Sequence, residues 1–284
     1  MHSGIAVLGD GTLVVAHQEG GALVLAGPGV QARSVTTDLT EMHCITAAPD
    51  ETLWIADNGH RYVHGTPDYS EVTRPGRVVR VGLDGVVVQE LADPGIGGPW
   101  SPTSVSVTEG SVWVADGYGS SLIHRFDSDG SLRDTIDGGE SGLRFACPHG
   151  ILVRGGELYV ADRENRRIVV FAESGVFRRT VGEGVVHSPS SLADLGGTLL
   201  VTELFGSLAL FEHDVYAGHL GVSPRSHLEP GWPNRVVDGT TMAPAVDQGK
   251  FNSPHGIAVH DGSVYVTEWM IGGRVVWLRP RPVE

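Results

Sequence analysis

The chain repeats itself, and the repeat limits what it can fold into. Cys147 to Gly182 reads CPHGILVRGGELYVADRENRRIVVFAESGVFRRTVG, and Ser253 to Leu278 reads SPHGIAVHDGSVYVTEWMIGGRVVWL. Both run Pro-His-Gly, a short apolar stretch, a glycine turn and an alternating stretch that ends in Val-Ala-Asp or Val-Thr-Glu. A polar loop and a further apolar stretch follow. Looser copies start at His2, Met42, Pro102 and Pro189, which makes six. In the fourth copy the alternating runs are Gly150 to Val153, Glu157 to Ala161, Arg167 to Phe171 and Val176 to Val181. Gly-Gly, Glu-Asn and Ser-Gly turns separate them. Alternation broken by tight turns is the mark of antiparallel hairpins. Six such units predict an all-β, six-bladed β-propeller. A β-sandwich has no need of six similar units. The expected arrangement is a single propeller domain over residues 1–284, with blades starting near 3, 43, 103, 149, 190 and 255. The last copy lacks a clear fourth strand, which leaves open how the ring closes.

Composition agrees. The 284 residues include 40 glycines and 16 prolines, and 40% are hydrophobic against 19% charged. That is too apolar for a disordered chain and too rich in turn formers for a helical bundle. The net charge is −14, and the only basic runs are Arg163 to Arg167 and Arg274 to Arg281. A phosphate backbone or anionic membrane needs clustered cations, so neither is expected as a partner. Two cysteines make no disulfide framework. The start, MHSGIAVLGDG, has no basic region leading into an apolar core, so the expected location is cytoplasmic. Two connections are long, Asn58 to Gly76 and Gly221 to Gly249. Segments of that length often cover a functional site.

In a propeller the first strand of each blade lines the central channel. The start of strand one and the end of strand two then share one face. The inner ring on that face is Ser3, His43, Thr103, His149, Ser190 and His255. The second ring is His17, Asp57, Asp116, Asp162, Glu203 and Glu268. Histidines alternate with small hydroxyl residues in the inner ring, so copies two, four and six supply them about 120° apart. Three imidazoles converging from three directions leave a fourth position open, as in catalytic zinc sites. A lone histidine at a strand start is more simply a turn residue; three at equivalent places in alternate copies favour a metal. The acids of the second ring read as structural, accepting backbone N–H groups of the turn that follows. His17 stands where the other copies have an acid and is a candidate site residue. His60 and His64, near the same face, read as loop residues. Cys44 and Cys147 flank His43 and His149 and read as buried thiols.

These residues resemble the NHL-repeat propellers, through the Pro-His-Gly motifs, ADGYGSSLI and YVADRENRRI. More narrowly, the stretch from Leu39 to Leu278 is similar to peptidyl-α-hydroxyglycine α-amidating lyase. The resemblance implies zinc on His43, His149 and His255, with Met-His in place of Pro-His at His43. It implies a catalytic tyrosine at Tyr118, in Asp-Gly-Tyr, and a substrate-holding arginine at Arg163, in Ala-Asp-Arg-Glu-Asn. Gly256 replaces the aspartate that supports a calcium ion in that family, which argues against calcium here. Gly119 replaces a cysteine, and the family's disulfides are absent. A second substrate arginine from the first blade has only weak counterparts in Arg33 and Arg61. No monooxygenase domain and no export signal are read in these residues, so a secreted, hormone-processing role is not expected.

The chemistry can also be reasoned from the residues. Zinc on three neutral imidazoles acidifies or polarises a bound oxygen, although imidazole ligands alone admit other divalent transition metals. A cation beside Tyr118 can lower its pKa from about 10 and make it a usable base. Arg163 can grip a carboxylate with two parallel hydrogen bonds. The expectation is therefore a metal-dependent lyase that cleaves the C–N bond of a carbinolamide, in a small hydroxylated metabolite or a modified peptide. Phe205, Met270 and Trp269 occupy equivalent loops of copies five and six and can wall the substrate site or cap their blades. A hydrolase, lactonase or cyclase on the same three histidines is an alternative. So is a non-enzymatic propeller that binds a protein or ligand.

Overall fold

The computed structural model describes residues 4–27, 29–223 and 226–279. Ser3, the first member of the inner ring, lies outside them. Six antiparallel sheets follow one another along the chain, five with four strands and the sixth with three. Their innermost strands are Ile5–Val7, Met42–Ala47, Ser104–Val107, Pro148–Arg154, Pro189–Leu195 and Pro254–His260. Each lies beside the innermost strand of the next sheet, and Ile5–Val7 lies beside Pro254–His260, which closes the ring. The chain is a six-bladed β-propeller. Each blade is built from one sequence copy, and among the described residues the sixth blade ends at its third strand, Arg274–Leu278.

The second strands show why the sheets stack. Leu53–Asp57 reads LWIAD and is buried along its whole length. Leu53 and Ile55 pack against blade 1, while Trp54 and Ala56 pack against blade 3. Leu158 and Val160, and then Tyr159 and Ala161, divide in the same way between blades 3 and 5. A strand with two covered faces needs apolar residues at successive positions, not only at alternate ones. Each fully buried Leu, Ile or Val contributes about 1.5–3 kcal/mol.

The second-ring acids tie each blade together. Asp57 accepts the backbone N–H groups of Thr40 and Glu41 at 2.7 and 2.9 Å. Asp116 accepts that of Ser101, Asp162 that of Ala146, and Glu268 those of Asn252 and Ser253. In every case the carboxylate at the end of strand two holds the loop that leads into strand one of its own blade. Burial is supported by charge pairing at two of them, Asp162 with Arg167 (2.8 Å) and Glu268 with Arg274.

The two long connections are structured. The first forms a hairpin, His60–Val63 with Ser70–Thr73, inserted between the second and third strands of blade 2. The second carries a short hairpin, Arg235–Val237 with Thr240–Met242. They grip each other. Thr241 N–H donates to Pro67 O at 2.9 Å, Thr241 Oγ1 to Asp68 Oδ1 at 3.1 Å, and Asn234 to the Tyr69 hydroxyl. No helix among the described residues is long and apolar enough to cross a membrane.

Candidate metal centre

His43, His149 and His255 come from the inner strands of blades 2, 4 and 6. Each of those strands carries a β-bulge at or beside its histidine. Met42 pairs with Asp57 and Cys44 with Ala56, so His43 is the extra residue; His149 stands the same way between Pro148 and Gly150. A bulge re-aims a side chain and bends its strand. Here it takes the imidazole out of the alternation and into the channel. Gly150 then lets the neighbouring strand approach, for a Cβ there would sit 2.2 Å from Ser190 O.

The three rings meet edge to face, with centroids 4.6, 4.7 and 4.9 Å apart. One ring nitrogen of each lies within 4.8 Å of the others, and all three side chains are buried. His43 Nδ1 bonds Thr103 O at 2.6 Å and His149 Nδ1 bonds Ser190 O at 3.0 Å. A carbonyl only accepts, so those Nδ1 atoms carry the hydrogen and their Nε2 atoms keep a lone pair. Both carbonyls belong to the inner-ring residue of the following blade. The corresponding residue for His255 is Ser3, and His255 Nδ1 has no partner among the described residues. Burial, with Arg163 and the neighbouring imidazoles adding to it, holds His149 and His255 well below the usual histidine value. Burial lowers His43 to about 3. Three neutral, buried imidazoles with converging ring nitrogens, two of them with carbonyl-fixed tautomers, fit a divalent transition metal.

Tyr118 and Arg163 join this cluster. The Tyr118 hydroxyl lies 3.0 Å from His149 Nε2, beside the lone pair that a metal would take. Arg163 Nη1 donates to the same hydroxyl at 3.3 Å, and Arg163 Nη2 to Ser190 Oγ at 2.9 Å. Arg163 is only 9% exposed, and its Nε has no partner. Tyr118 keeps one side of its ring open to solvent while its hydroxyl is held at the histidines. Desolvation raises its pKa above 10, and Arg163 opposes that rise without overcoming it.

A cavity of about 510 Å³ opens over the cluster. Tyr118, Arg163, His43, His255 and Trp269 line it, together with Glu41, His60, Tyr62 and Leu204. Two further residues read as possible substrate contacts are not brought there. His17 Nδ1 accepts the Glu19 N–H at 3.2 Å, holding a turn as the acids of its ring do. Phe205 stacks on His227 at 4.4 Å and meets Trp232, so it packs under the 221–249 segment. Met270 is buried behind Trp269. Arg33 donates to Leu83 O on the outer edge of blade 1, and Arg61 to the backbone of Glu19 and Thr40. Neither lines the cavity. Cys147 is not part of the histidine cluster, and burial raises its thiol pKa. Sequence reading missed His60 and Tyr62, although their two-residue spacing in HRYV marks one face of a strand. Glu41 carried no signal, since it precedes the strand.

Comparisons with known proteins agree with the fold and the motif. The NHL repeat pattern matches residues 145–171, which hold His149 and Arg163. The chain is 34% identical over 177 residues to peptidyl-alpha-hydroxyglycine alpha-amidating lyase 2 of Drosophila melanogaster, covering 59% of this chain and 39% of that protein. It is 28% identical over 169 residues to a probable peptidyl-alpha-hydroxyglycine alpha-amidating lyase of Caenorhabditis elegans, covering 57% and 45%. The matches thus span less than half the length of these relatives. Among solved structures, a streptogramin B lyase superposes with a TM-score of 0.64 at 13% identity, covering 98% of this chain and 93% of that one. Virginiamycin B lyase from Staphylococcus aureus gives 0.61 at 14%, covering 100% and 85%. At such identity these structures speak to the fold alone. The chain is a six-bladed β-propeller carrying an NHL repeat, and it resembles the peptidyl-α-hydroxyglycine α-amidating lyases.

Proposed function

We propose that the protein is a metal-dependent lyase that splits the C–N bond of an N-acylated α-hydroxyglycine, as a small metabolite or the end of a peptide. The observation that carries this reading is Tyr118, whose hydroxyl lies 3.0 Å from Nε2 of the candidate ligand His149 and accepts from Arg163 Nη1 at 3.3 Å. The lyase names of the two curated relatives support the reaction class.

His43, His149 and His255 would hold the metal. When bound, a divalent ion there supplies positive charge that polarises a substrate oxygen and favours the ionised form of Tyr118. Arg163, buried and positively charged, takes the substrate carboxylate and fixes the carbinol carbon beside Tyr118. Its unpartnered Nε leaves it hydrogen-bonding capacity for that carboxylate. The Tyr118 oxygen accepts the carbinol proton. The C–O bond becomes a carbonyl as the C–N electron pair leaves with nitrogen, which takes up a proton. R–CO–NH–CH(OH)–COO⁻ thus gives R–CO–NH₂ and OHC–COO⁻, with no net gain or loss of protons or electrons.

The test is to incubate metal-loaded protein with an N-acyl-α-hydroxyglycine and measure glyoxylate and primary amide. Equimolar release is expected. Tyr118→Phe is expected to lower kcat by roughly 10²–10⁴, the usual loss when a positioned acid–base group is removed. Hydrolysis of a lactone in the absence of any glyoxylate release would favour a hydrolase on the same site, and an unaltered rate in Tyr118→Phe would remove the assigned role.

A further inference from the structure

The blade-2 hairpin is an insertion that no propeller strand requires, and it stands over the cavity. Blade 1 lies across the ring from blade 4, which carries Arg163. Among the described residues, none of blade 1 lines this cavity. The hairpin reaches towards blade 1. Arg61 donates to Glu19 O in a blade-1 turn and to Thr40 O. His60 and Tyr62 alternate with Arg61 along the strand, so they face the other way, into the cavity. The Tyr62 ring meets Trp269 of blade 6 edge to face at 6.3 Å, and His60 meets Tyr62 at 4.8 Å. The aromatic rings therefore come from blades 2 and 6, the two neighbours of blade 1, across the ring from the blade of Arg163.

This wall is not core. Tyr62 is 37% exposed, against 1% for the packed Trp113. It is also held in place. The 221–249 segment grips the hairpin tip through Thr241 and Asn234, and Asn234 Oδ1 accepts the Ile271 N–H at 2.8 Å, two residues from Trp269. Ser253 Oγ donates to Trp269 O at 2.9 Å. Rings fixed before binding lose little entropy on stacking.

We infer that His60, Tyr62 and Trp269 form a specificity wall for the acyl group on the substrate nitrogen, selecting a planar, apolar acyl group. The inference rests on the lyase reading for the identity of that group. With the carboxylate on Arg163, the acyl side of the molecule extends away from that guanidinium and meets the rings. A benzoyl-like group fills the contact, whereas an acetyl group leaves the rings in water.

The probes are N-benzoylglycine and N-acetylglycine, which lack the hydroxyl and cannot be cleaved. Calorimetric titration into the metal-loaded protein is expected to show about tenfold tighter binding of N-benzoylglycine. Tyr62→Ala and Trp269→Ala are expected to bring the ratio towards one, and Tyr62→Phe to keep it. In parallel, N-benzoyl- and N-acetyl-α-hydroxyglycine are compared for glyoxylate release. Equal binding of the two glycines, failure of both to bind, or a ratio unchanged in both alanine variants would overturn the wall. A benzoyl preference that Tyr62→Ala abolishes, without glyoxylate from either hydroxyglycine, would uphold the wall and count against the lyase. Turnover of both hydroxyglycines at equal efficiency would do the reverse.

Discussion

Glu203 differs from the other acids of its ring. Its Oε2 accepts the N–H groups of His187 and Ser188 at 2.7 and 2.9 Å, but its buried Oε1 has no partner. Asp162 and Glu268 each have an arginine, and Asp116 has the Ser120 hydroxyl. Desolvation therefore prevails at Glu203 and raises its pKa from 4.5 to about 7, with the two N–H groups and Arg163 opposing. A carboxyl whose folded-state pKa is raised holds its proton more tightly when folded. That stabilisation is complete below 4.5 and disappears as pH rises through 7. Glu203→Gln keeps an oxygen for the two N–H groups and cannot ionise. It is expected to melt higher than the parent at pH 8, by roughly 3 kcal/mol in stability, and to match it near pH 4.5. Thermal melts across that range check this; parallel curves for the two proteins would show that Glu203 is not a buried, uncompensated carboxylate.

At the scale of the strand, the histidines depend on bulges, and His149 also on the glycine that follows it. Gly150 has an ordinary φ, so its requirement is space, not a left-handed backbone; an added Cβ would also lie 2.9 Å from Ser191 Cα. Gly150→Ala must push the inner strands of blades 4 and 5 apart, at about 1–3 kcal/mol for overpacking. It should lengthen the His149 Nδ1–Ser190 O bond while leaving all three imidazoles present. The expected result is weaker metal binding by about 10–100-fold, the range for a lost outer-shell partner, with the fold retained by circular dichroism. Unchanged metal affinity would mean that the carbonyl does not orient His149. Much at this scale was legible in the chain. The six copies, the strands of blade 4 and the alternation of His43, His149 and His255 come from periodicity, which follows directly from the pleat of a strand. That the second-ring acids are structural was also legible, but not that they hold the loop leading into strand one, which lies about 16 residues earlier in the chain. The bulges were not, since one extra residue in a pairing leaves no mark on a single strand's pattern. The aromatic face of the hairpin was obscured by its short, polar surroundings, and the failure of His17 and Phe205 to reach the cavity is a matter of side-chain direction. The pKa of Tyr118 required the balance of burial against one cation.

For the molecule as a whole, symmetry and its breakage divide the work. Six similar blades supply a ring of inward-facing positions, and alternate blades fill them with imidazole. Thr103 and Ser190, in the blades between, turn backbone carbonyls to the histidines of their predecessors. Blades 3 and 4 add Tyr118 and Arg163. The two insertions break the symmetry: the blade-2 hairpin lines the opposite side of the cavity, and the second segment holds its tip. This plan gives the centre three imidazoles able to hold a metal, and every proposed role is arranged around them. The most direct test is metal analysis of protein purified without chelators, for the parent and for His149→Ala. The parent is expected to carry stoichiometric divalent transition metal, zinc by preference, and His149→Ala to lose it while keeping its β-sheet circular dichroism. Parent protein that is metal-free and takes up no zinc on titration, or His149→Ala that binds it as tightly as the parent, would contradict the three-histidine centre.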